Sequence, residues 1–436
     1  MHGTVVVGFY GMTHLGLVSA VAAASKGYQV IGYDPNEMLI AELKQKKYPI
    51  EEPQFPELMV DNADRLRFTA ELDQLLAAEL IYVAIDVPTD AENHSDLQPI
   101  RYALEQLQRR LRREQIVVVL SQVQPGFIRA AEFPAEQLFY QVETLIFGRA
   151  IERATKPERF IVGCPDPTKN LPSCYHTFLK SFHCPILTMR YESAELAKIS
   201  INMYLVAAVM TSNLLAELAS AVGADWQEVV PTLRLDKRIG QYAYLEPGLG
   251  ISGGNLERDM VTIKQLAQQY STHAELVKTW LADSPYYKNW VWRCLQTEIL
   301  SKTEAPIVAI LGLAYKTNTH SIKNSPSMAL INLLKTTKSQ IQVHDPAVKK
   351  EDREDTATHC DSALKALQSA DVLVIMTPWL EYSKLTANDF LAHMRGRVII
   401  DPYRVLNYEA LIQAGFYVHT LGVNSNALKK KEAAYA

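Results

Sequence analysis

The chain has 436 residues, of which 48% are hydrophobic and 21% charged, and a formal net charge of −4. That length exceeds one ordinary core and predicts two or three domains, while the composition is that of a soluble globular protein. With no block of like charges longer than Lys429–Lys431, nothing electrostatic points to nucleic acid or an anionic membrane, and small-molecule chemistry is the expectation.

The N-terminus enters a strand-like run, Thr4–Val7, with no basic region, apolar core and small-residue cleavage site, so no secretory signal is read. No uncharged apolar stretch is read as long enough to cross a bilayer. The five cysteines, Cys164, Cys174, Cys184, Cys294 and Cys360, are scattered and form no CxxC. Neither a disulfide framework nor a metal site is expected, and the setting is a cytoplasmic one.

Thr4–Val7, Gln29–Tyr33, Leu80–Ile85, Ile116–Leu120 and Phe160–Val162 are short Val/Ile-rich runs separated by helix-length stretches. This alternation predicts an α/β fold with a doubly wound parallel sheet. From Tyr191 the spacing becomes helical through SAELAKISINMYLVAAVMTSNLLAELASAVG, a long apolar helix that Gly223 ends, with Asp225 placed to cap the next. A second α/β region follows Lys302, with buried strands read at Pro306–Leu311, Gln340–His344, Asp371–Met376 and Val398–Ile400. No fixed-period repeat is present, and Lys429–Ala436 reads as a disordered tail.

The segment VVVGFYGMTHLGLVSAVAAASKGYQVIGYD runs strand, glycine turn, Ala-rich helix, strand and terminal acid. Such a turn brings backbone amides and a helix N-terminus to a diphosphate, and the acid receives ribose hydroxyls. The assigned cofactor residues are Gly8, Gly11, Thr13, His14, Leu15, Gly16 and Asp34. Asp34, 18 residues after Gly16, would repel a 2′-phosphate and so favours NAD over NADP. Thr13 stands at the middle glycine of GxGxxG, where its β-carbon crowds the closest approach, and Gly8 is read as relaxing the turn. A tight strand-to-helix turn without a ligand is the plainer reading of a lone degenerate motif; the complete βαβ context and Asp34 favour the dinucleotide.

PIEEPQFPEL, SAELAKISINMYL, LDKRIGQYAYLEPGLGISGGNLERD, ILGLAYKTNTHSIKNSPS and QVHDPAV, in this order, resemble the UDP-glucose/GDP-mannose dehydrogenase family over nearly the whole chain. The resemblance implies two Rossmann-like domains joined by a long central helix and helical dimerisation segment. The expected boundaries are 1–190 for an NAD-binding domain, 191–300 for the dimerisation domain, 301–430 for a nucleotide-sugar-binding domain and 431–436 for a tail. It also implies a homodimer, and oxidation of a sugar alcohol to a carboxylate with two NAD through a cysteine thiohemiacetal and thioester.

Carried over residue by residue, the resemblance places Lys198 and Asn202 at the oxyanion, Asp259 on the catalytic water, and Glu143 at the glutamate of the family's NPEFLREG segment. It places Arg238 on the substrate phosphate, with Tyr244, Gly250 and Lys316 in the substrate set. Lys198 and Asn202 stand at i and i+4 and share one helix face; a snorkelling surface lysine and a helix-end charge for Asp259 are the plainer alternatives.

The family cysteine is absent. Its position in GISGGNLERD is Asn255, whose amide cannot supply a nucleophilic thiolate. Cys164 and Cys294 read as small buried hydrophobes rather than substitutes. Gln122 replaces a family threonine, Phe147 a family glutamate, and DPYR replaces DGRN, which leaves Arg404 as the displaced substrate arginine. The leading expectation is an NAD-dependent oxidoreductase acting on a nucleotide sugar without a thioester. An epimerase that retains its NAD, and a non-catalytic paralogue that binds NAD and nucleotide sugar, are the alternatives.

Overall fold

The computed structural model describes residues 5–90, 92–352 and 355–424; the tail expected from Lys429 lies outside them. Two compact units divide the chain at Ile201/Asn202. The long helix Tyr191–Val222 begins in the first and runs on into the second.

The strands of the first unit are β1 (Val6–Tyr10), β2 (Gln29–Tyr33), β3 (Leu66–Thr69), β4 (Leu80–Val83), β5 (Ile116–Val119), β6 (Leu138–Gln141), β7 (Phe160–Cys164) and β8 (Ile186–Arg190). They form one sheet in the order β3-β2-β1-β4-β5-β6-β7-β8. All pairs are parallel except β6 with β7. The first six follow the doubly wound 3-2-1-4-5-6 order, so the chain reverses direction of travel between β1 and β4. Strands β4 and β5 are buried along their whole length, which explains why LIYV and IVVV read as continuous rather than alternating apolar runs. The helix His14–Ser25 covers one face and buries Leu15 to Val18 and Ala20 to Ala24. Its run of alanines keeps that packing close.

The first strand begins later and ends later than the Thr4–Val7 reading, because Phe9 and Tyr10 are registered against Gly32 and Tyr33. Gly8 therefore lies inside β1 and does not relax the turn. Its missing β-carbon admits Leu75, whose Cδ1 lies 2.6 Å from where that carbon would stand.

The second unit repeats the plan. Strands β9 (Ile307–Leu311), β10 (Gln340–His344), β11 (Thr358–His359), β12 (Val372–Ile375), β13 (Val398–Ile400) and β14 (Tyr417–His419) are ordered β11-β10-β9-β12-β13-β14, with every pair parallel. The two units also share a turn. Gly11, at φ +102°, donates its amide to Tyr33 O at 2.8 Å, and Gly312, at φ +98°, donates to His344 O at 2.8 Å. Both backbones lie in the region open to glycine.

The 32-residue helix Tyr191–Val222 ends at Gly223, φ +81°, and the Asp225 carboxylate caps the next helix through Gln227 N. This helix corrects the reading that no apolar stretch reaches bilayer length: by length and composition it qualifies, and 33% of its most apolar stretch is buried. In its second-unit part, Asn213 Oδ1 accepts from Gly248 N at 2.7 Å and Ser212 Oγ donates to Tyr244 O at 3.0 Å.

Candidate active site

In the first unit the glycine turn runs from β1 into the helix His14–Ser25. A β-carbon on Gly16 would stand 1.7 Å from Gly11 O, so the helix can start this close to the strand only with glycine there. Asp34 follows β2, is 8% exposed, and accepts from Met12 N at 2.8 Å and Asn36 N at 2.9 Å. It shapes the turn, and a carboxylate's further lone pairs stay open to ribose hydroxyls. Thr13 is the N-cap residue, but its hydroxyl turns away from the helix to Asp86, 2.5 Å from Oδ2. The Leu15 amide points to the same oxygen at 3.4 Å, while the Leu15 side chain is buried.

His14 opens the helix, with its ring Nε2 2.8 Å from Glu52 Oε1 and its ring centroid 4.4 Å from that of Phe147, the two rings tilted by 41°. Glu52 is 5% exposed and accepts from Gly148 N at 3.0 Å and Ala150 N at 3.1 Å. Burial alone would raise its carboxyl; the His14 ring and the two amides outweigh that and hold it below the ordinary value. The glutamate thus ties the glycine turn to the segment holding Phe147.

Lys198 and Glu143 meet in the same unit. The lysine Nζ donates to Glu143 O at 2.9 Å and to its Oε2 at 3.0 Å, both side chains being largely buried. The other Glu143 oxygen accepts from Leu145 N, so the carboxylate is clamped between its own loop and the long helix. Gln122 is half-buried on the loop after β5. That loop is held by Glu195, fully buried on the long helix, which accepts from Gly126 N at 2.7 Å and Ile128 N at 2.8 Å; burial pushes its carboxyl up.

In the second unit Asn202 donates from Nδ2 to Asp259 Oδ2 at 2.5 Å, and Arg258 Nε donates to Asp259 Oδ1 at 3.2 Å. Asp259 is completely buried. Asn255, exposed, is the first residue of the helix Asn255–Gln269, one turn before Asp259. The loop ahead of it is tightly made. Gly253, at φ +75°, lies under the Tyr315 ring, whose Cε2 would be 2.8 Å from a β-carbon, and Asn324 Nδ2 donates to Gly253 O at 3.2 Å. The Lys323 Nζ lies 3.2 Å from the β-carbon position of Gly254.

The substrate set is more dispersed. Arg238 is exposed and pairs with Asp236 at 2.6 Å. Tyr244 is exposed at its side chain while its carbonyl takes the Ser212 hydroxyl. Gly250 (φ +68°) packs on Ser284, and Lys316 Nζ lies 5.8 Å from the Tyr315 ring centroid. Arg404 forms a two-pronged pair with Asp225, 2.9 Å in each arm. That arginine anchors the helix cap that Asp225 provides.

All five cysteines are unbridged. Burial raises every thiol among them, and Cys294 is pushed up to about 12. None has the lowered pKa of an activated nucleophile. Among the described residues one exposed trio, Asp90, Glu92 and His94, brings potential metal donor atoms within 4.8 Å of one another.

Three parts of one family profile match in chain order: the NAD binding domain over residues 5–179, the central domain over 192–282 and the UDP binding domain over 309–408. This chain belongs to the UDP-glucose/GDP-mannose dehydrogenase family. It is 24% identical to the UDP-glucose 6-dehydrogenase of Rickettsia conorii, with 95% of this chain and 98% of the relative covered. The corresponding enzyme of Rhizobium meliloti is 27% identical, with 94% and 98% covered. Among solved structures, a UDP-glucose dehydrogenase from Pyrobaculum islandicum superposes with a TM-score of 0.84 at 25% identity, covering 97% of this chain and 99% of that one. The UDP-D-ManNAc dehydrogenase of Pyrococcus horikoshii shares the fold, with a TM-score of 0.80 at 21% identity and 96% and 100% covered.

NAD is the cofactor of this family's N-terminal domain. The turn fits it through the positive φ of Gly11, the close approach at Gly16 and the placement of Asp34. Glu52, Asp86, Glu195 and Arg258 went unassigned in the sequence. Glu52 was visible in the PIEEP motif; Asp86 and Glu195 have long-range partners, Asp86 meeting a residue 73 positions away and Glu195 amides 67 and 69 positions away, while Arg258 bonds its neighbour Asp259.

Proposed function

We propose that this protein oxidises one carbinol of a nucleotide sugar with NAD and stops at the carbonyl. The observation that carries the reading is Asn255: the residue opening the helix one turn before Asp259 has an amide where a covalent thioester needs a thiolate.

NAD, when bound, supplies the acceptor for the hydride leaving the sugar carbon. The residues of the chain handle the proton and the charge. Lys198, its ammonium fixed by the Glu143 carbonyl and carboxylate, stabilises the alkoxide as the hydroxyl proton passes to water. Asn202 and Arg258 hold the Asp259 carboxylate oxygens in place, and Asp259 positions a water near the reacting carbon. Asn255 offers that centre a neutral hydrogen-bonding amide. Gln122, on the loop that Glu195 holds, lines the reacting region. Gly8, Gly11, Thr13, His14, Leu15, Gly16 and Asp34 surround the dinucleotide, with Gly8 acting through sheet packing. Arg238, Tyr244, Gly250 and Lys316 belong to the nucleotide-sugar side, while Arg404 acts there through the Asp225 pair.

The same reading assigns residues 1–190 to the cofactor, 191–300 to dimerisation and 301–430 to the nucleotide sugar. A homodimer through the long helix is supported by its exposed Leu196, Tyr204, Leu214, Leu218 and Val222. Five unbridged cysteines suit a reducing cytoplasm.

Purified protein is given NAD with UDP-, GDP- and dTDP-sugars in turn. The reading predicts NADH and a carbonyl product from one of them, lost in Lys198→Met and Asp259→Asn. Binding without turnover across the panel would replace it with a non-catalytic binding role. An inverted sugar without net NADH would replace it with epimerisation.

A further inference from the structure

We propose that Asp86 is a built-in competitor for the diphosphate position of the glycine turn and sets how tightly this protein takes a dinucleotide. The inference rests on the reading of Val7 to Gly16 as the NAD turn.

The first amides of an α-helix have no acceptor within the helix, and their positive end draws an anion. In a dinucleotide fold that anion is the diphosphate. The 12-residue helix His14–Ser25 has no acidic residue in its own first turn. Its anion comes from elsewhere in the chain: Asp86, just beyond β4, presents Oδ2 to both Thr13 Oγ1, at 2.5 Å, and Leu15 N, at 3.4 Å. One carboxylate oxygen thus stands where a phosphate oxygen of the ligand belongs.

Thr13 and Asp86 act as a pair. A glycine at position 13 would leave the turn bare; the threonine narrows it with a β-carbon and supplies the hydroxyl that draws Asp86 in. Asp86 is exposed, so it can rotate away without disturbing the core. The dinucleotide must break its two contacts, or else settle against a like charge. With a unit charge about 6 Å from the diphosphate and an effective dielectric near 20, the repulsion corresponds to about a hundredfold in affinity, and rotation into solvent relieves part of it. The expected penalty is about tenfold or more, felt only by ligands that carry phosphate.

Isothermal titration of the full chain with NAD, ADP and adenosine tests this, comparing wild type with Asp86→Asn and Thr13→Ala. The expected result is NAD and ADP binding about tenfold or more tighter to D86N, a smaller gain for T13A, and adenosine unchanged. Without ligand, D86N should melt no higher than wild type, because the helix has lost its favourable anion. If wild type binds NAD and D86N binds it no tighter, or more weakly, the competitor is overturned while the NAD reading stands. An equal gain for adenosine overturns it as well, since the effect is then not on phosphate. If NAD and ADP bind to none of the three proteins, the NAD reading falls and the competitor with it.

Discussion

Replacing Glu52 with alanine removes an acceptor that three groups share. The Gly148 and Ala150 amides, at 3.0 and 3.1 Å, lose their buried partner, and the His14 ring loses its contact at 2.8 Å. Each amide left unpaired costs about 1–3 kcal/mol, and the His14 contact adds about 1 kcal/mol. The sum is about 3–7 kcal/mol, a large share of the roughly 5–15 kcal/mol that holds a domain folded. Every tryptophan lies at or after Trp226, so their fluorescence does not report on this region. Hydrogen exchange at Gly148 and Ala150 does, and E52A should speed it by orders of magnitude. Glu52→Gln isolates the charge. Because the folded carboxyl titrates below its unfolded value, its contribution is complete above about pH 4.3 and fades as pH falls through the folded pKa. The difference between wild type and E52Q should therefore narrow in acid. E52A exchanging like wild type, or an E52Q difference that grows in acid, would refute this reasoning.

Gly16→Ala places a methyl 1.7 Å from the Gly11 carbonyl oxygen; the turn must open, costing at least about 1–3 kcal/mol and weakening NAD binding in titration. Arg404→Ala leaves the partly buried Asp225 without its pair, and urea unfolding followed by Trp226 fluorescence should show a loss of about 1–3 kcal/mol, between the values for exposed and buried pairs. Asn255→Cys puts a thiol at a helix N-terminus, where its pKa should fall below the ordinary value of about 8.5; iodoacetamide labelling should find it first, ahead of Cys294, whose thiol burial raises.

Much of the fold was legible because its central strands are buried on both faces. Gln29–Tyr33, Gln340–His344 and Val398–Ile400 were read with the boundaries the structure has. The strands β3, β6, β8, β11 and β14 were not. Edge strands such as LRFT and ILTMR are half exposed and mix polar with apolar residues, while LFYQ is buried but only four residues long. Neither gives a period long enough to read. The site divides in the same way. Lys198 and Asn202 are one helical turn apart and Asn255 and Asp259 another, spacings that a sequence displays. The contacts Glu143–Lys198, Asn202–Asp259, Glu52–Gly148 and Thr13–Asp86 join residues 55 to 96 positions apart, and only the folded chain brings them together. The pair of Arg404 with Asp225, 179 positions apart, was likewise not legible in the sequence.

The proposed oxidation without a thioester makes a stoichiometric claim. The decisive measurement is NADH formed per nucleotide sugar consumed, with the product identified by mass spectrometry. One NADH and an aldehyde or ketone are predicted; two NADH and a carboxylate would contradict the account.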